Sequence, residues 1–328
     1  MLALLLPLST RAAESGGDGF NIQVSPSPLA ITLTPGQRQT ATITIRNLSS
    51  HSETLTPQLN GFTIGSDGEK IELQSTVPLG LGEWISFKQQ TITIAPGGSQ
   101  PLEVIYNTPA NVGFSYALAI TLSQTDKKAE GQGPALKGSV AVFNLININR
   151  SDAKRELAVE SFKSDKARYE YLPASFALTV KNSGNVIDQP AGNLFIQRSF
   201  EDTNPIATIP INQTNSYILP DTSRKLSTEW VDGFPHYVSD GAGKMHLSWD
   251  WSKLNSLRMG KYVAKVVLIY NDGQRDVPLI ASTTFWVIPW KLIVATVVVG
   301  GLVITGIIAW IRIVMKGTNK VRKYARRR

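Results

Sequence analysis

The sequence predicts an all-β exported region of two tandem β-sandwich domains, followed by a single transmembrane α-helix. Three observations carry this. Short runs of alternating apolar and polar residues recur between turn residues from Ile31 to Val287; no stretch before Leu292 holds a helical period; and Leu292 to Ile311 is uncharged and nearly all apolar. The expected layout is a signal peptide and short linker over 1–19, a first sandwich over 20–150, a membrane-proximal sandwich over 151–289, a helix over 290–312 and a basic tail over 313–328.

The chain opens "MLALLLPLSTRAAES", an apolar run from Leu2 to Leu8 followed by small residues, where a signal peptidase could cut after Ala12 or Ala13. No Lys or Arg precedes the run, so the expectation is a signal peptide whose positive n-region is clipped or lies upstream.

In the first block, "ITLTPGQRQTATITIRNLSS" sets Ile31 and Leu33 on one face. Pro35-Gly36 then turns the chain, and Ala41, Ile43 and Ile45 share a face while Thr42 and Thr44 point to water. Further strands are expected at Leu55 to Ile64, Trp84 to Lys88, Thr91 to Ile94, Pro101 to Tyr106, Ser115 to Leu122 and Ser139 to Ile148. "GSDGEK" and "APGGSQ" read as turns, and the polar, Gly-rich stretch Thr125 to Gly138 reads as a long mobile loop.

A polar linker, "NINRSDAKRE", leads into the second block. There Phe176, Leu178 and Val180 share one face before an Asn-Ser-Gly-Asn turn, and "KYVAKVVLIYNDGQRDVPLIASTTFWVI" reads as a hairpin closed at Asn271-Asp272-Gly273. In "MHLSWDWSK", Met245, Leu247, Trp249 and Trp251 have one parity, which favours core packing over a sugar-stacking surface; Trp84 and Trp230 also read as core.

Twenty uncharged residues match what a helix needs to cross a hydrocarbon layer of about 30 Å. Trp286 and Trp290 flank one end and Trp310 the other, where indoles favour the headgroup layer, while Arg312 and Lys316 can snorkel outward. Within it Gly301, Thr305 and Ala309 form a weak helix-pairing face. Beyond it Lys320, Arg322, Lys323, Arg326, Arg327 and Arg328 form a basic tail expected to rest on anionic lipid of the inner leaflet. With Arg312 and Lys316, these eight residues account for the whole excess of 33 basic over 25 acidic residues. A basic excess confined to one juxtamembrane segment argues against a nucleic-acid partner, and by the positive-inside rule it places the C-terminus in the cytoplasm and both sandwiches outside.

Zero cysteines exclude thiol nucleophiles, Cys-ligated zinc and iron–sulfur clusters, and leave both domains to conventional cores. His51, His236 and His246 form no metal-binding spacing, no G-x-S-x-G elbow occurs, and Asp67 and Asp272 sit beside glycines as ordinary turn residues. No enzyme activity, catalytic residue, metal or cofactor is expected.

The stretch "SPSPLAITLTPGQRQTATITIRNLSS" resembles the opening of bacterial surface immunoglobulin-like domains, in particular the peptidoglycan-binding half of WxL-interacting proteins. "VKNSGNV", "ILPDTSRKLSTEW" and "LRMGKYVAKVVLIYNDG" look like their membrane-proximal half. The same strand-and-turn patterns also resemble periplasmic pilus-chaperone domains. The first resemblance implies immunoglobulin-like sandwiches that bind cell wall (peptidoglycan) or another surface protein without catalysis; it assigns no ligand-contacting residue. The alternative is a membrane-tethered, chaperone-like assembly factor for secreted or surface subunits. A long exposed edge strand in the first domain would favour that alternative, and a covered edge with a polar loop face would favour surface binding.

Overall fold

The computed structural model describes residues 19–64, 70–77, 80–125, 138–241 and 243–325. The segment expected to be a signal peptide, Asp67, most of the Thr125 to Gly138 loop and Arg326, Arg327 and Arg328 lie outside the described residues.

The first sandwich comprises β1 (Ile22–Ser25), β2 (Leu29–Leu33), β3 (Arg38–Asn47), β4 (Glu53–Ile64), β5 (Ile71–Gln74), a single helical turn α1 (Leu81–Trp84), β6 (Ile85–Phe87), β7 (Ile92–Ile94), β8 (Ser99–Asn107), β9 (Ser115–Gln124) and β10 (Ser139–Ile148). One sheet runs β1-β3-β8-β6; the other runs β2-β10-β9-β4-β5, with β7 also pairing β4. The alternation read from the sequence meets in the middle: Ile43, Ile45, Leu102 and Val104 of one sheet pack with Leu118, Ile120, Leu122 and Ile146 of the other, all without solvent contact. β2 and β3 do not pair. The Pro35-Gly36 turn, with Gly36 at φ 72, carries the chain between sheets, and β2 pairs in parallel with β10.

The second sandwich comprises β11 (Leu157–Ser164), β12 (Arg168–Tyr169), β13 (Ala174–Asn182), β14 (Ala191–Gln197), β15 (Ala207–Ile211), β16 (Ser223–Trp230), β17 (His236–Ser239), β18 (Met245–Ser248), β19 (Gly260–Asn271) and β20 (Asp276–Val287). Its sheets run β11-β13-β16 and β12-β20-β19-β14-β15. The β19–β20 hairpin pairs from Gly260↔Val287 to Asn271↔Asp276, closed by a turn that places Gly273 at φ 100. Phe176, Leu178 and Val180 are buried, and Trp230 packs edge-on to Tyr262 at 5.1 Å in the same core.

β17 and β18 form a two-stranded sheet of their own, joined to the domain by one bridge from His236 to Leu172, and a six-residue 3-10 helix, Trp251–Ser256, follows them. Here the sequence expectation fails. Trp84 (7% exposed) and Trp230 (1%) are core, but Met245, Trp249 and Trp251 are 50%, 42% and 68% exposed. The strand stops at Ser248, and the Asp250 carboxylate accepts from Ser252 N at 3.2 Å to start the 3-10 turn. Strand parity therefore ends before either indole, and no sheet faces the hairpin.

Only Ile288 and Pro289 separate β20 from α2 (Trp290–Ala325). Its segment Trp290–Arg312 is 23 residues long with a mean hydropathy of 2.6, none of it buried against the rest of the chain, so α2 is long and apolar enough to cross a membrane. The helix continues through the segment read as a tail, placing Lys316, Lys320, Arg322 and Lys323 on its last turns. Ile288 N donates to Tyr169 O at 2.8 Å, and Lys291 Nζ donates to Glu170 Oε2 at 2.9 Å, fastening the start of α2 to the second sandwich.

Candidate binding cleft between the sandwiches

An outward-facing sheet surface is ordinarily polar. On the β2-β10-β9-β4-β5 sheet it is not. In β4, Phe62 and Ile64 point away from the core and stand opposite Leu73 and Ile71 of β5. Phe143 of β10 meets Phe62 edge to face, centroids 4.9 Å apart, and Leu145 follows two residues along on the same side. Ile71 and Leu73 are 40% and 51% exposed, so the second apolar layer is only partly covered.

What faces it is the loop from Asn212 to Asp221 of the second sandwich, across a cleft of about 370 Å³. Asn212, Asn215 and Asp221 hold φ of 58, 51 and 57, a left-handed conformation in which short polar side chains are the usual non-glycine residues. Side chains lock this loop. Asn212 Nδ2 donates to Pro190 O (2.7 Å) and Ser216 O (3.0 Å), Asn212 Oδ1 accepts from Ser216 N (2.8 Å), and Gln189 Nε2 donates to Asn215 O (2.6 Å). Tyr217, Leu219 and Arg224 complete the far wall, and among the described residues Arg224 is the one charged residue lining the cleft.

The two walls are held at a fixed separation. Asn147, at the end of β10, donates Nδ2 to Ile187 O and accepts from Ile187 N, both at 2.9 Å, so one side chain pairs with the second sandwich as a strand would. Ser115 Oγ donates to Asn185 O at 3.1 Å, and the Arg150 guanidinium lies 4.5 Å from the Phe114 ring centroid while pairing with Asp152 at 2.8 Å. Beside this junction Asp188 is buried with Oδ2 unpartnered, and burial pushes its carboxyl above the usual carboxylate range.

The described lining of the cleft, apolar on one side and carrying Asn215, Tyr217 and Arg224 on the other, is a surface that can bind. Among the described residues no group of three or more His, Asp or Glu side chains converges as a metal site. His51 pairs with the buried Glu53 at 2.5 Å, and His236 and His246 lie on β17 and β18. Among the described residues the edge strands of the first sandwich, β1, β2, β5, β6 and β7, are three to five residues long. Its apolar surface is thus a face inside a cleft, neither a long open edge nor a polar loop face.

Of the residues singled out as membrane flanks, Trp286 lies on β20, Trp290 opens α2, and Trp310 and Arg312 are exposed where its apolar part ends. None borders the cleft. Phe62, Phe143 and the Asn212 to Asp221 loop were not singled out in the sequence. One signal was present: in "VAVFNLINI" apolar residues occupy both parities of β10, the mark of a strand covered on both faces.

No family model and no curated protein matches this chain. Solved structures similar in architecture include the class 5 fimbriae chaperone CfaA (10% identity, 79% of this chain and 98% of that one, TM-score 0.39). Others are the E. coli chaperone DraB (10% identity, 80% and 98%, TM-score 0.35) and the Pseudomonas aeruginosa chaperone CupB2 (8% identity, 81% and 100%, TM-score 0.34). At these identities and TM-scores the likeness carries nothing about what this chain binds.

Proposed function

We propose that this chain is a non-catalytic, membrane-tethered binding protein of the bacterial cell surface whose inter-sandwich cleft takes an apolar segment of another exported polypeptide. One observation carries the reading: the outer face of the first sandwich presents Phe62, Ile64, Ile71 and Phe143 to a side-chain-locked loop across about 370 Å³, within the range of about 300–1,000 Å³ usual for ligand clefts. A cell-wall glycan, the sequence's first expectation, finds hydrogen-bonding partners on the Thr214 to Tyr217 side of the cleft but brings hydroxyls against the aliphatic and phenyl wall opposite, whereas a polypeptide can turn apolar side chains to that wall and its backbone to the loop. Arg224 adds one cation to which a carboxylate can pair.

In this reading α2 spans the membrane, Trp290 and Trp310 sit at its two interfaces, and the basic end contacts anionic lipid of the cytoplasmic leaflet. Protease added to intact cells then removes both sandwiches and leaves a fragment carrying the basic end; protected sandwiches overturn the topology. For the ligand, a photo-crosslinking residue at position 143 of the full chain should form adducts with exported polypeptides, and Phe62→Glu should abolish them without unfolding the protein. Absence of polypeptide adducts, with peptidoglycan co-sedimenting equally with wild type and Phe62→Glu, would return the reading to the cell wall.

A further inference from the structure

The segment from Val231 to Met259 leaves the second sandwich after β16, forms β17, β18 and the 3-10 helix, and returns as β19. It is built as a firm knob. Phe234, buried, is its base: Trp249 and Trp251 pack on it at 5.8 and 5.2 Å and stack on each other at 6.0 Å. Phe234 N donates to Ser256 O at 2.9 Å, Arg258 Nε donates to Asp232 O at 3.0 Å, and the Arg258 guanidinium also pairs with the Asp232 carboxylate. Gly233 passes so close to Leu172 that a Cβ would stand 3.0 Å from it, which ties the knob to the sandwich.

Its outer surface is apolar. Trp249, Trp251, Leu254, Leu257 and Met259 are all exposed, a density of large apolar side chains that soluble surfaces rarely carry in one patch. The patch is continuous with the helix: the same groove of about 470 Å³ is walled on its other side by Leu292, Ile293, Thr296 and Val297 of α2. At about 1.5 Å rise per residue, Val297 lies roughly 10 Å along the helix from Trp290, so this groove occupies the depth where the helix enters lipid. Paired indoles beside aliphatic side chains suit the headgroup–acyl boundary.

We infer that this knob is a second membrane contact: the Trp249–Trp251 pair and the aliphatic side chains beside it seat in the interfacial layer of the outer leaflet, with phospholipid acyl chains filling the groove between knob and helix. The inference rests on the proposed spanning role of α2. With contacts at the helix and at the knob, the second sandwich meets the bilayer at two places, which limits its tilt and rotation more than the short connection and the Lys291–Glu170 pair do alone. The cleft between the sandwiches is thereby presented at a defined height.

The test uses the full chain, with Trp286, Trp290 and Trp310 replaced by phenylalanine so that only Trp249 and Trp251 report beside the buried Trp84 and Trp230. In nanodiscs of phosphatidylcholine and phosphatidylglycerol, dibrominated acyl chains should lower the emission about twofold, because indoles in the interfacial layer lie within reach of the bromines. Adding Trp249→Phe and Trp251→Phe should abolish that loss. Equal emission in brominated and plain lipid overturns the inference, including the case in which the pair is blue-shifted but unquenched because a second copy covers it. Failure of the anchor reading is seen separately: wild-type chain that neither floats with vesicles nor shows bromine quenching at Trp290 and Trp310 is not membrane-inserted at all.

Discussion

The two sandwiches are built around the same corner. In "IRNLSSHS" of the first, Asn47 donates Nδ2 to His51 O (2.7 Å) and Ile94 O (3.0 Å) and accepts at Oδ1 from Ser49 N (2.9 Å). In "VKNSGNVI" of the second, Asn182 donates Nδ2 to Val186 O (2.8 Å) and Ile218 O (2.9 Å) and accepts at Oδ1 from Gly184 N (2.9 Å). Both amides are fully buried at the end of a strand, where each satisfies a turn and a distant carbonyl at once. Beyond the corner the domains diverge: the first spends its extra apolar residues on an outer sheet face, and the second spends them on a knob beside the helix. The shared core chemistry makes a sandwich, and the divergent apolar surplus makes the proposed binding face in one domain and the proposed membrane-facing one in the other.

The sharpest way to break this comparison is inside the second domain. Trp230→Ala removes an indole held between Tyr262 and Phe285 and should cost about 3–5 kcal/mol, seen as a large loss in melting temperature or failure to fold. The corner comes next. Asn47→Ala and Asn182→Ala each remove three hydrogen bonds made by one buried amide, although Ile94 O keeps Ser52 Oγ and Ile218 O keeps Asp188 N, so each should cost about 2–4 kcal/mol, and by similar amounts. A cost in one domain only would show that the corner is not equivalent in the two. Smaller again is Asn147→Ala, which loses the reciprocal bonds to Ile187. It should cost about 1–2 kcal/mol and speed hydrogen exchange at Ile187 while the exchange of the two cores stays unchanged.

Trp249→Ala should cost about 1–2 kcal/mol, less than Trp230→Ala, because the ring gives up its packing on Phe234 and Trp251 but is already 42% exposed. A loss as large as that of Trp230→Ala would return Trp249 to the core. The smallest effect is electrostatic. Burial raises the Asp188 carboxyl in the folded state, so the native protein holds this proton more tightly than the unfolded chain, and stability falls as pH rises from the unfolded value through the folded one. Asp188→Asn removes the cost of burying the charge. The variant should melt slightly above wild type near neutral pH and the difference should vanish in acid; a variant less stable at neutral pH would contradict this.

Much of this was legible in the chain because period and parity are local. Phe176, Leu178 and Val180 face the core as their alternation requires, β10 spans the residues its pattern marked, and the Asn271-Asp272-Gly273 turn closes the hairpin written around it. The apolar length of α2 is likewise a one-dimensional property. Alternation says which side chains share a face, but whether that face is buried depends on a second sheet standing opposite, and sheet assignment depends on contacts far apart in sequence. So β2 and β3, adjacent in the chain, belong to different sheets, and Trp249 and Trp251 have no sheet across from them. The cleft is the fullest case: Phe62, Phe143 and the Asn212 loop come from three distant segments, and the junction of Asn147 with Ile187 and of Ser115 with Asn185 sets them face to face.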